Sequence, residues 1–591
     1  MADVAMDLPN WDLTDLYPAP DSNVFKDDME KSQILAESFA QEYRGKIADL
    51  DGDALATAIV AYEELDEKLS RLMSYAYLVY AGDMGDADVT RFFQDAQERI
   101  TAISTIVLFF SLELNLIEEE ALGKSISDSE KLSHYQPWLR DVRAFREHQL
   151  PEDQERILHE KSLTGRSAWV RLFDETLASL KFPFQGEEVT NAEILHKMSD
   201  PREEIRKEAA ESLGTVFGNN ISLFSHITNT LAKDKAMEDE WRGFERPVSS
   251  RNLSNYVEDE VVDALVAAVK ESYPSLSHRY YKLKAKWLGV DKLNFWDRMA
   301  PLPEEDDREI PWTEARDTVL QAYGRFSDDL ADIGQVFFDK NWIDAEVRAG
   351  KAPGAFAHPT VPSAHPYLLV NYQGKTRDVM TLAHELGHGV HQVLAGGQGH
   401  LMADTPLTLA ETASVFGEML TFQSMLANED DPKLKKAMLA SKVEDMLNTV
   451  VRQIAFFDFE QRVHDARKNG ELSAEEICDI WMAVSEESLG DAFIFGEAYR
   501  NYWAYIPHFI HSPFYVYAYA FGDCLVNSLY ALYEQAESGF AEKYLDMLRA
   551  GGSLRHKELL APFGLDASDP EFWKKGLSML SNFIDQLEAM E

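Results

Sequence analysis

Apolar residues recur at three-and-four spacing through most of this 591-residue chain, with acids and bases between them. That spacing is the mark of amphipathic helices. It predicts helices over about 24–46, 52–82, 86–120, 128–146 and 151–182, so the first third reads as a helical lobe. A second series starts at Asp200-Pro201, where Asp suits a cap and Pro the first turn, and runs to about 240. Further helices fit 255–288 and 312–346. The most apolar window, Thr101–Leu112, is shorter than the roughly 20 residues a bilayer span needs, and a buried helix is expected there.

The helical texture breaks once, between about Lys351 and Gln373. Pro353, Pro359, Pro362 and Pro366 exclude a continuous helix, and Tyr367–Tyr372 reads as a short strand. With an unpaired edge, such a strand can take an extended peptide by main-chain hydrogen bonds; a small structural hairpin is the alternative.

The next predicted helix opens near Thr376 or Asp378, stops at Gly396-Gly397 and contains His384-Glu385-Leu386-Gly387-His388. Residues four apart share a helix face, so both imidazoles can reach one Zn²⁺, with Glu385 beside it to take a proton from water. Hydrolysis is the reaction this pattern serves. A catalytic zinc needs a third protein ligand. His391 lies roughly 10 Å along the axis from His384 and is poorly placed to share the ion. The longer HExxHxxGxxH pattern fails too, because His391 and Leu394 stand at its glycine and histidine positions. Glu411 and Glu418 share a face of the following helix, and spacing does not choose between them. Asp378 either caps the helix or orients a ligand histidine. Gly387 and Gly389, each costing on the order of 1 kcal/mol in a helix, point to close approach of another backbone.

Composition narrows the partners. With 57 Lys+Arg against 102 Asp+Glu the net charge is −45, which disfavours nucleic acid and anionic membrane. Two cysteines, Cys478 and Cys524, build no disulfide framework. Met1–Asp7 carries acids where a secretory leader needs positive charge, so a cytoplasmic location is expected. Two acidic runs, Glu304–Asp307 and Glu429–Asp431, read as solvated loops.

His384–His388 followed by Leu409-Ala410-Glu411-Thr412-Ala413-Ser414 resembles the zinc site of the M3 peptidases, the thimet oligopeptidase and oligoendopeptidase F group. Trp11–Pro18, Pro353–Phe356 and Leu369–Tyr372 resemble further segments of the oligoendopeptidase F branch, and Pro507–Gly522 resembles its C-terminal His and Tyr segment. The resemblance implies one Zn²⁺ per chain held by His384, His388 and Glu411, with Glu385 as general base. It also implies that His508, Tyr515 and Tyr519 stabilise the transition state. Read locally, Ser512 caps and Pro513 opens a helix on which Tyr515 and Tyr519 share a face while Tyr517 points elsewhere; an aromatic packing stripe is the alternative. The implied fold is mainly α: a large helical clamshell with a thermolysin-like zinc core and a small β-sheet around a deep substrate channel. Residues 1–195 would form an N-terminal helical lobe and 196–591 the catalytic domain. The implied function is that of an oligoendopeptidase cutting internal bonds of short unfolded peptides; the sequence does not fix the oligomeric state, and a monomer is the expectation. The alternatives are an exopeptidase of the dipeptidyl carboxypeptidase kind and a non-catalytic helical scaffold that binds peptides.

Overall fold

Helices account for 73% of the chain, as the three-and-four spacing requires, and the strands are short. The computed structural model describes residues 8–162, 164–302, 308–536 and 538–591; Met1–Asp7 and the acidic run Glu304–Asp307 lie outside the described residues. Contacts divide the chain into two compact units, one of residues 1–146, 307–428 and 536–563, the other of 147–306, 429–535 and 564–591.

The first unit begins with helices α1 (Asn23–Tyr43), α2 (Gly52–Gly82) and α3 (Ala87–Val107). Ser22, Asp51 and Asp86 cap them by accepting backbone N–H groups of the first turn, each contact stabilising by about 1 kcal/mol. Their apolar faces meet around Met29, Leu72, Leu78 and an edge-on aromatic set, with Tyr17 and Phe25 at 5.2 Å and Phe39 and Phe110 at 5.1 Å.

The apolar window Thr101–Leu112 is not the buried helix expected. The helix breaks at Leu108, which is 56% exposed; Ile103, Val107 and Phe110 are buried in the core, and Ile106 and Phe109 pack against it half-buried. The other face carries Thr101, Ser104 and Thr105, whose last two hydroxyls donate to the Thr101 carbonyl and so need no buried partner. By length and composition alone, the run Ala87–Leu116 is long and apolar enough to cross a membrane.

The expected helix 312–346 divides at Ser327, whose extended backbone separates α4 (Trp312–Phe326) from α5 (Asp328–Asp339). A three-stranded sheet follows: β1 (Ile343–Asp344), β2 (Phe356–His358) and β3 (Tyr367–Leu369), in the order β1-β3-β2. β3 pairs parallel to β1, with Ile343 opposite Leu368, and antiparallel to β2, with Ala357 opposite Leu368. The strand read from Tyr367 onward is therefore central and fully buried, and the outer edge belongs to Phe356–His358. Three consecutive apolar residues fit a strand covered on both sides, whereas β2 is hidden in the sequence by the prolines around it.

Two other features hold this sheet. The carboxylate of Asp344, 0% exposed, takes both guanidinium nitrogens of Arg348 at 2.7 Å and Nζ of Lys351 at 2.8 Å. Trp11 packs on Phe356 and Tyr367 at ring distances of 6.4 and 6.1 Å, and the Tyr367 hydroxyl donates to the Asp12 carbonyl at 2.8 Å. The sheet leads into α6 (Thr376–Ala395), which packs against α7 (Leu407–Asn428) and α8 (Phe540–Arg549).

The second unit is helical as well, with Glu203–Asn219, Ile221–Arg242, Asp259–Ser272, Arg452–Arg467, Tyr517–Gln535 and Pro570–Ala589 among its helices. The first starts at Glu203 rather than at Pro201, because Asp200 uses its carboxylate on the backbone and side chain of Arg202. Residues 429–431 form a loop, as read from the sequence, and Asp431 caps the helix Pro432–Met446. That helix runs through a π-helical turn, Leu447–Val451, into Arg452–Arg467.

Candidate metal centre

α6 begins at Thr376, with the Asp378 carboxylate accepting the N–H groups of Gln373 and Lys375 at 2.9 Å each. Asp378 is thus a cap. α7 crosses α6 at Gly387, where a Cβ would lie 2.5 Å from the Ala413 carbonyl oxygen and 2.7 Å from Cα of Ser414. The close backbone approach expected at Gly387 is present. At Gly389 the close neighbour is a side chain instead, the Phe337 ring at 2.7 Å. The Tyr323 hydroxyl donates to the Ala383 carbonyl at 2.6 Å and fills the space beside Gly417, where a Cβ would sit 2.1 Å from it. α4, α6 and α7 are locked together at the level of the two histidines.

Glu411 Oε2 then lies 3.3 Å from Nε2 of His384 and 3.4 Å from Nε2 of His388. The three donor atoms fall within 4.8 Å of one another. Ser414 donates to the same carboxylate oxygen at 2.7 Å, which fixes its direction. Glu418, left open beside Glu411 by spacing, faces the other ring nitrogen: its Oε2 is 3.2 Å from His384 Nδ1. Burial opposes a charge on His384, but the two carboxylates outweigh it and raise the imidazole to about 10. His391 is buried and apart, its Nε2 3.5 Å from the Thr405 hydroxyl. Glu385 is 7% exposed; burial raises its carboxyl, and the neighbouring imidazoles pull the other way. A cavity of about 640 Å³ opens beside α6, lined by His388, Gln392, His400, Asp404 and Thr405 among others.

His508, Tyr515 and Tyr519 belong to the second unit, where they form a cluster of their own. The Tyr519 hydroxyl is 3.4 Å from Nε2 of His508, and the Tyr515 and Tyr519 rings meet edge-on at 5.2 Å. The helix expected to open at Ser512-Pro513 starts instead at Tyr517, because Phe514 takes a left-handed backbone, φ 60°, that a right-handed helix cannot contain. Tyr517 does point elsewhere, buried with its hydroxyl on Asn255 at 2.8 Å. The loop is clamped by groups with no sequence signal. Glu460 accepts the Phe514 N–H at 2.9 Å, Arg251 donates to the Pro513 carbonyl at 3.2 Å, and Arg166 donates to the His511 carbonyl at 2.5 Å. Ser414 and Glu418, by contrast, were traceable, being one and two turns beyond Glu411 on its own helix.

A family model described as "Peptidase family M3" matches residues 196–579, and one described as "Oligopeptidase F" matches residues 113–182. Oligopeptidase PepF of Bacillus subtilis is 26% identical over 98% of this chain and 87% of its own length. The chromosomal oligoendopeptidase F of Lactococcus lactis subsp. cremoris is 25% identical over 98% and 97%. Among solved structures, a putative peptidase from Chlamydophila abortus superposes with a TM-score of 0.87 at 22% identity, covering 98% of both chains. Oligoendopeptidase-F from Enterococcus faecium gives 0.72 at 22% identity, over 96% of this chain and 99% of that one. The chain belongs to peptidase family M3 and is a metallopeptidase.

Proposed function

We propose that this protein is a zinc-dependent oligoendopeptidase that hydrolyses internal bonds of short unfolded peptides. The observation that carries the reading is the convergence of Nε2 of His384, Nε2 of His388 and a carboxylate oxygen of Glu411, with Glu385 on the same helix. Family membership implies a metal. Two imidazoles and one carboxylate fit zinc, which takes three protein ligands of these types in catalytic sites. Once bound, Zn²⁺ supplies a Lewis acid and lowers the pKa of water toward about 7.

Glu385 takes the proton of the attacking water and hands it to the departing amine; its raised carboxyl suits a base that must also give the proton back. Glu418 holds His384 by Nδ1, leaving Nε2 to ligate, and Ser414 holds Glu411. His508, Tyr515 and Tyr519 are proposed as donors to the oxyanion, where one such donor is typically worth roughly 3 kcal/mol of barrier. The outer edge of Phe356–His358 is proposed to take the peptide main chain. A division at 195/196 is proposed on the pattern of the chain alone; the family matches end at 182 and begin at 196, and the two compact units are cut elsewhere. A cytoplasmic location is supported by two buried free cysteines.

Glu385→Gln is the decisive variant: it should keep its zinc and lose turnover, and zinc-loaded Glu385→Gln with wild-type turnover would overturn the assignment. Peptides blocked at both ends separate the exopeptidase reading, since an endopeptidase cuts them internally.

A further inference from the structure

Arg298 and Arg452 face one small cavity in the second unit, and no carboxylate lines it. The cavity measures about 30 Å³, more than the roughly 10–15 Å³ of such space that one water needs. Its polar lining consists of the two guanidinium groups, Asn448, Tyr281, Tyr499 and the hydroxyls of Ser277, Ser485 and Ser488. Asn448 Oδ1 accepts from Arg298 at 2.6 Å, and Arg452 donates to the Tyr505 hydroxyl at 3.0 Å. Burial raises the Tyr281 phenol to about 12, so it stays a neutral donor. Desolvation and the charge of Arg298 hold the Arg452 guanidinium below its usual range.

The neighbouring buried cations are treated differently. Arg206 has Asp297 at 2.7 Å, and Lys284 has Glu444 at 2.6 Å, a carboxylate that also takes the Tyr280 hydroxyl. In a chain of net charge −45, acids are plentiful, yet among the described residues neither Arg298 nor Arg452 has one in ion-pair range. Two like charges sharing a desolvated space are costly unless something negative lies between them. The backbone is also irregular here: the π-helical turn Leu447–Val451 contains Asn448 and ends next to Arg452, and such turns often occur at functional sites.

We propose that this cavity is a binding site for one small monovalent inorganic anion of chloride size, held by Arg298 and Arg452 with phenol and hydroxyl donors around it. Through Tyr505, at the end of the turn Glu497–Tyr505 and three residues before His508, the anion would also brace the segment that carries His508. The inference stands on the cavity alone and does not need the peptidase mechanism.

The test is thermal unfolding of the full chain in sodium chloride or sodium bromide, with sodium gluconate holding ionic strength constant. Chloride and bromide should raise Tm saturably, by roughly 1–2 °C. Arg452→Met should lose that response. Asn448→Asp, which puts a fixed carboxylate beside Arg298, should fold and be insensitive to chloride; it keeps the test open if Arg452→Met does not fold. Crystals grown in bromide should show an anomalous peak inside the cavity. Equal Tm in chloride and gluconate would overturn the proposal. So would a chloride response undiminished in Asn448→Asp, or bromide bound only elsewhere.

Discussion

Glu418 and His384 meet at 3.2 Å through the ring nitrogen that does not face Glu411. A carboxylate at that nitrogen fixes the tautomer and makes the other nitrogen a better ligand. Glu418→Ala should therefore weaken zinc binding by about 10–100-fold, with Glu418→Gln intermediate because it keeps an acceptor. Competition with a fluorescent chelator measures this. Wild-type affinity in Glu418→Ala would remove Glu418 from the site.

Gly387→Ala should destabilise the protein by about 1–3 kcal/mol even after the helix gains of alanine, since the clash is with backbone at 2.5 Å. Zinc affinity should fall with it, because Glu411 rides on the displaced helix. Gly123→Ala is the control: its helix is open there, with nothing within 4 Å of the added Cβ, and it should gain up to about 1 kcal/mol. Tm and zinc titration on both variants separate the two effects.

Asp344→Ala leaves the Lys351 ammonium, 0% exposed at the side chain, without its carboxylate. Breaking a buried pair from one side costs about 3–5 kcal/mol. Urea unfolding should register that loss, and proteolysis should reach the 345–352 loop that Lys351 ties down through the Glu346 and Val370 carbonyls.

Burial raises the Glu460 carboxyl to about 8, against the N–H of Phe514 and the charges of Arg251 and Lys235 that pull it down. In the unfolded chain the group titrates near 4.3. Between those values the folded protein holds a proton the unfolded chain lacks, so this group's stabilisation is lost as pH rises toward 8. The slope is at most about 1.4 kcal/mol per pH unit. Glu460→Gln has no such proton; the stability of wild type relative to Glu460→Gln should fall from pH 5 to pH 8. A flat difference would mean that Glu460 is ionised throughout.

Much of the metal centre was legible because its parts are local. The HExxH residues sit on one turn, and Ser414 and Glu418 follow Glu411 at helical spacing. What periodicity cannot report is a tertiary choice. The strand at Tyr367 was visible as an apolar run, but its central position depends on partners 24 residues before and 11 before it, Ile343 and Phe356, the second masked by prolines. The helix starts at Tyr517 although Ser512-Pro513 is a good local signal for a start: Phe514 is left-handed, and its N–H goes to Glu460, more than 50 residues away. Thr101–Leu112 is apolar in composition, yet the hydroxyls of Thr101, Ser104 and Thr105 gather on one face, which stays outside the core.

The first unit is assembled from three separate stretches of chain, and this sets the order of its birth on the ribosome. Residues 1–146 emerge first, but Tyr367 and Met402, members of the same apolar core, come much later. Translation of the intervening 147–306 alone takes on the order of ten to thirty seconds at 5–20 residues per second. Through that interval the early helices must keep an unfinished apolar face away from other chains. The strong negative charge of the protein gives a nascent segment of this kind mutual repulsion while it waits.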